Sequence, residues 1–325
     1  MSAPFRRDPE PTFAREQPFT VGSHTLAQLD GAGVNRKVLR TGGWRRTSHG
    51  QWAPVTPSRP LTTAQRIVDV LPLIPDHGAL AGWAAAYVLG AARLDGLHPH
   101  TGQRLPIVIA LGRNVGRSQH LDVRFSREQL EPDETCTHDG IPVTSPLRTA
   151  FDLARWADNL AEGVAAVDAL LNLTDVSADL VALATDRRGW RGVPLARTVA
   201  YLGQPGAAGT WESRLRVVHQ VEAGLPRPLV NPRITDLRGR LLGYPDLLDH
   251  EAGLVVEFDG LDHRERSRHS ADNVREEAFE DVNLVVVRVD SLAYRTDRRG
   301  VVSRLQSGHR RGTKRDRARD GWRLG

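Results

Sequence analysis

The chain has 325 residues, 40% of them hydrophobic and 26% charged, with a formal net charge of +5. That length holds two or three domains with sizeable cores, and the positive balance fits a polyanionic partner. A single cysteine, Cys136, excludes an internal disulfide framework and suits a reducing cytoplasm. Its expected place is the core, as a small hydrophobe.

Residues 1–18 are Pro-rich and charged. They lack the apolar run of a secretion signal, so a disordered N-terminus and a cytoplasmic location are expected. Residues 19–55 predict a compact module. "HTLAQLDGAG" gives a short helix with Leu26 and Leu29 at i, i+3 spacing. "VNRKVLRTGG" gives a second, with Asn35 as N-cap and Gly42 as its stop. Trp44 and Trp52 flank a turn at "SHG", which predicts a hairpin. Helix, turn, basic helix and hairpin form the layout of a winged helix-turn-helix. Double-stranded DNA is the partner this layout expects. Arg36, Lys37 and Arg40 would face it on the second helix, and Arg45 and Arg46 on the wing. The alternative is a small capping subdomain with a solvated basic face.

"APVTPSRP" (53–60) and "GQPGAAG" (203–209) predict linkers, leaving an α/β middle domain over 61–202. Helices are expected near Ala64–Leu73 and Leu80–Leu89. "GALAGWAAAYVLGAA" (78–92) is the longest uncharged apolar stretch. It falls short of the roughly 20 residues that span a bilayer, so it reads as a buried core helix and no membrane partner is expected. "LPIVIALG" and "HLDVRFS" predict strands. From Pro146 three helices follow, the last with Ser177 as N-cap. His98 and His100 read as loop surface.

The segment 210–305 carries the chemistry. "WESRLRVVHQVEAGLP" predicts an amphipathic helix with Leu215, Val218 and Val221 on one face and Glu212 in its first turn. "NPRITDLRGRLLGYPDLL" predicts a hairpin turning at "LRGR". "GLVVEFDG" predicts a strand with Leu254, Val256 and Phe258 on a core face and Val255, Glu257 and Asp259 on the other. The short connection "DHEAG" brings Asp246 close to Glu257. Clustered carboxylates on adjacent strands suit Mg2+, with Mn2+ as a substitute, and such an ion activates water for phosphodiester hydrolysis. "VNLVVVRVD" predicts a buried strand. The end of the chain, 306–325, is strongly basic and reads as a flexible tail that adds DNA affinity.

Glu212, the hairpin, "YPD", "EFDG" with Glu257, Asp259 and Gly260, and then His263 together resemble the PD-(D/E)XK nuclease superfamily, specifically its very-short-patch-repair-like branch. The resemblance implies a restriction-endonuclease-like mixed sheet flanked by helices. It implies Asp246 and Glu257 as metal ligands, Glu212 as a catalytic residue that orients the site, and His263 as proton carrier or phosphate contact. The superfamily's signature lysine falls at position 259, where this chain has Asp259, expected either as a further catalytic carboxylate that joins Glu257 in holding the metal or as an end-of-strand residue before a Gly turn. The front of the chain, with "GIPVTSPLRTAFDLAR" (140–155), resembles the abortive-infection type IV antitoxin family, which implies a cognate toxin gene or its promoter as partner. Two functions are therefore expected: a Mg2+-dependent endonuclease, or an antitoxin-like DNA-binding regulator whose nuclease fold is structural.

Overall fold

The computed structural model describes residues 22–48, 50–55, 61–113, 122–259 and 277–325. The chain is mixed helix and sheet, and it divides into two compact units. One holds residues through Trp156 with Leu173–Ala200, and the other Ala157–Asn172 with Tyr201–Gly325.

The first unit opens with β1 (His24–Thr25), α1 (Leu26–Gly31) and α2 (Arg36–Leu39), followed by the hairpin β2 (Trp44–Ser48) and β3 (Gln51–Pro54). The strands form a three-stranded sheet in the order β1-β3-β2. Local chemistry sets both helices. Thr25 and Gln28 form a reciprocal capping box at α1, and the Asn35 side chain accepts from the N–H groups of Lys37 and Val38 at α2. The helices reach inward through Leu29 and Leu39, both buried.

Next come α3 (Thr63–Val70), β4 (Ala79–Ala81), α4 (Trp83–Val88), β5 (Ile107–Ala110), β6 (Val123–Ser126), the hairpin β7 (Thr135–His138) and β8 (Ile141–Thr144), and α5 (Pro146–Trp156). Their mixed sheet runs β6-β5-β4-β8-β7. The β-branched "IVIA" of β5 is buried along its whole length, as expected of a strand covered on both faces. The helix expected over 80–89 starts later. Ala79–Ala81 pair with β5 as a strand, and Gly82, at φ +61°, turns the chain before α4. Cys136 is exposed on β7 rather than buried. After α6 (Leu160–Leu171), which belongs to the second unit, α7 (Ser177–Asp186) and α8 (Val193–Leu202) follow. Ser177 is the first helical residue and Val176 occupies the cap.

The second unit adds α9 (Thr210–Val217) and nine strands and helices: β9 (Leu229–Val230), β10 (Ile234–Asp236), β11 (Leu241–Gly243), β12 (Leu247–Asp249), β13 (Leu254–Asp259), β14 (Val285–Asp290), α10 (Ser291–Thr296), α11 (Arg298–Thr313) and β15 (Trp322–Leu324). One sheet runs β14-β13-β12-β9 and another β11-β10-β15. β13 and β14 are parallel. Leu254 and Val256 pack with Leu215, Val289 and Leu305 on one face. Val255 packs with Ile234, Leu248, Phe279 and Trp322 on the other. The expected outward face of β13 is therefore buried at Val255 and opens only at Glu257 and Asp259.

Three further expectations change here. The basic end of the chain is not a flexible tail, because α11 runs to Thr313 and β15 pairs antiparallel with β10. The 203–209 linker is fastened to α6. The Asp168 and Asn172 side chains accept from the N–H groups of Gln204 (2.8 Å) and Gly206 (2.6 Å), and Asn172 donates to the Ala207 carbonyl (2.7 Å). Val221 is 49% exposed, because the helix widens to a π-turn over Val218–Glu222 and shifts its face.

Candidate functional site

At the basic module of the first unit, Arg36, Lys37 and Arg40 are exposed on and beside α2. No carboxylate of the described residues pairs with them. Arg46 is exposed on β2 and its Nε donates to the Ser48 carbonyl at 3.1 Å. Arg45, on the same strand, is engaged within the first unit. Its guanidinium grips both carboxylate oxygens of Asp69 on α3, whose Oδ1 also accepts from Gln65 Nε2 at 2.8 Å. Arg45 thus ties the hairpin to α3, while α2 keeps its cations in solvent.

In the second unit Asp246 and Glu257 lie on adjacent strands. The β12–β13 register pairs Leu247 with Val256, which sets Asp246 level with Glu257. Asp246 Oδ2 accepts the Phe258 N–H at 2.6 Å, and its carbonyl accepts the Asn231 N–H at 3.1 Å. Asn231 Nδ2 in turn donates to Glu212 Oε2 at 2.7 Å, which also accepts the Ala208 N–H at 2.7 Å. The indole of Trp211 stacks on Phe258, centroids 4.7 Å apart, fixing the start of α9 against the end of β13.

These bonds have a plain structural use. Glu212 closes the first turn of α9 and Asp246 completes the pairing at a strand end. Glu257 stands in register with Arg288 on β14, so a basic residue adjoins it on the next strand. Asp259 is exposed, beside Asp290, which caps α10 through the Ala293 N–H at 2.7 Å. His263 lies outside the described residues. Among the described residues no group of three His, Cys, Asp or Glu side chains is placed to hold a metal ion. Asp246 and Glu257 are thus two carboxylates side by side, with no third such ligand among the described residues.

A buried ionic network in the first unit has no local signal in the sequence. Arg148, Asp152 and Arg155 recur at i, i+4 and i+7 on α5, one helical face. Asp152 is fully buried and accepts from Arg148 Nε (3.1 Å) and Arg155 Nε (2.8 Å). Arg148 and Arg187 converge on Glu134, each at 2.6 Å, and Arg155 forks onto Glu128. Three arginines meet three carboxylates, and all three guanidiniums lie against the Trp190 ring at about 5 Å. Burial pushes the Asp152 carboxyl up, opposed by Arg148 and Arg155. The arrangement specifies how α5, the β6 end and the β7 start fit together.

The second unit has its own buried charges. Arg214 forks onto Glu162, both contacts 2.8 Å, and Arg216 pairs with fully buried Asp168. His219, in the π-turn, is fully buried with both ring nitrogens lacking a hydrogen-bond partner. Burial lowers its pKa to about 4, against the pull of Asp249 and with the push of His309. Asp249 itself is bound by His309 Nδ1 at 2.8 Å.

Among the described residues no helix is long and apolar enough to cross a membrane. No curated protein and no solved structure matches the chain. Residues 84–201, little more than a third of the chain, match the family described as the AbiEi antitoxin C-terminal domain.

Proposed function

We propose that this protein is a DNA-binding regulator of the antitoxin kind. In this reading the strand–helix–helix–hairpin module of residues 24–54 is a winged helix that docks α2 on duplex DNA. The observation that carries it is the set of Arg36, Lys37 and Arg40 on the solvent face of a doubly capped helix pair. It stands in the same chain as the antitoxin-like stretch 84–201. The target is the promoter of its own operon, the partner product a cognate toxin, and the compartment the cytoplasm. Arg46 joins the contact from the hairpin. A gel-shift titration tests this: a duplex from upstream of the gene should outcompete unrelated duplex of equal length. Equal competition would remove the regulator reading.

The endonuclease reading is supported by Asp246 lying level with Glu257. It would need His263 or another donor to complete a Mg2+ or Mn2+ site. A supercoiled-plasmid nicking assay with and without Mg2+ decides it. We expect no nicking, and Mg2+-dependent nicking lost in Glu257→Ala would restore the enzyme.

A further inference from the structure

The ordered C-terminal strand changes what the basic end of the chain can do. β15 lies antiparallel to β10, with Arg323 opposite Thr235. The β10–β11 turn is "LRGR", residues 237–240. Its backbone is held by one carboxylate, since Asp236 Oδ1 accepts the N–H groups of Arg238 (2.9 Å) and Arg240 (2.8 Å). An aspartate used in this way locks the turn. The side chain of Arg323 reaches across to it, for a methyl group placed on Gly239 would lie 3.4 Å from Arg323 Nη2. Arg238, Arg240 and Arg323 are all exposed. Two exposed arginines, Arg238 and Arg240, thus flank Gly239 at a turn that the Arg323 guanidinium reaches, and the near carboxylate of Asp236 is engaged by main chain. No carboxylate of the described residues pairs with them. Leu237 (61% exposed), Leu241 (45%) and Leu324 (43%) border them.

We propose that this tip is a second nucleic-acid contact, separate from α2, which grips the phosphate backbone of duplex DNA. Like charges crowded on a fixed turn repel one another, and a row of phosphates relieves that repulsion. Arginine forks suit phosphate oxygens. The contact is to backbone and so carries no base preference.

The test uses the full chain and a labelled duplex of arbitrary sequence, read by fluorescence anisotropy across a salt series. Arg238→Ala/Arg240→Ala/Arg323→Ala should weaken binding and flatten the log–log salt slope by up to about 0.9 per arginine removed. The matching triple Lys variant should keep most of the slope. Arg36→Ala/Lys37→Ala/Arg40→Ala is measured in parallel and in combination, so that failure at α2 and failure at the hairpin are told apart. Additive losses in the combined variant support two surfaces. An unchanged slope in the hairpin variant, at unchanged melting temperature, would overturn the proposal. So would a loss of binding confined to anionic phospholipid vesicles, which would make the tip a membrane contact.

Discussion

Arg45 gives its charge to Asp69 on α3, whereas Arg36, Lys37 and Arg40 leave theirs in solvent. The sequence cannot separate them, because Asp69 is 24 residues away. Arg45→Ala is therefore expected to lower the melting temperature by several degrees, since it leaves the buried Asp69 carboxylate without its cation. DNA affinity should fall far less than in Arg40→Ala, and a larger affinity loss would return Arg45 to the interface. His219 makes a second prediction at this scale. Its pKa is about 4 in the folded chain and about 6.5 in the unfolded one, so the unfolded chain takes up the proton first. The stability tied to the neutral ring is complete above about pH 6.5 and is lost as pH falls toward about 4, by about 3 kcal/mol in all. Urea melts of the parent and His219→Leu, compared across that range, should diverge by this amount. Parallel curves would contradict the burial of the ring.

Elements with local signals were legible, and those set by distant partners were not. Asn35 before α2 and the strand pairing that carries Trp44 and Trp52 are local, and the structure has those elements at the expected places. Asp139-Gly140 is also local, both residues at positive φ in the β7–β8 turn. It is a strong hairpin signal. β4 was hidden because "ALA" has no strand preference of its own and is held there by β5 and β8. α11 and β15 were hidden by charge. A run of arginines reads as solvated tail, yet Val301, Leu305 and Trp322 are buried beneath it. Gly312 lets α11 close on the sheet, since a methyl there would lie 2.1 Å from the Ala252 carbonyl oxygen. The carboxylate neighbours Asp246 and Glu257 were legible from the short β12–β13 connection. Arg288 beside Glu257 was not, because parallel register joins strands far apart in sequence. The α5 network predicts its own cost. Asp152→Ala leaves Arg148 and Arg155 buried without their shared carboxylate, and unfolding free energy should fall by about 3–5 kcal/mol. A loss under about 1 kcal/mol in denaturant melts would mean that water reaches the network.

On the scale of the whole molecule, the chain joins a basic helix pair, a stretch that matches an antitoxin domain, and a sheet unit rich in ordered arginine. A net charge of +5 alone supports only non-specific attraction. What turns charge into a claim about DNA is its placement on α2, and that claim is open to one direct measurement. Anisotropy titrations of the full chain on duplex DNA should give an affinity that falls steeply with salt. Arg36→Ala/Lys37→Ala/Arg40→Ala should weaken binding at least tenfold and reduce the slope by about 2–3, with an unchanged melting temperature. An affinity indifferent to salt, or a triple variant that binds like the parent, would contradict the assignment of residues 24–54 as the DNA-binding module.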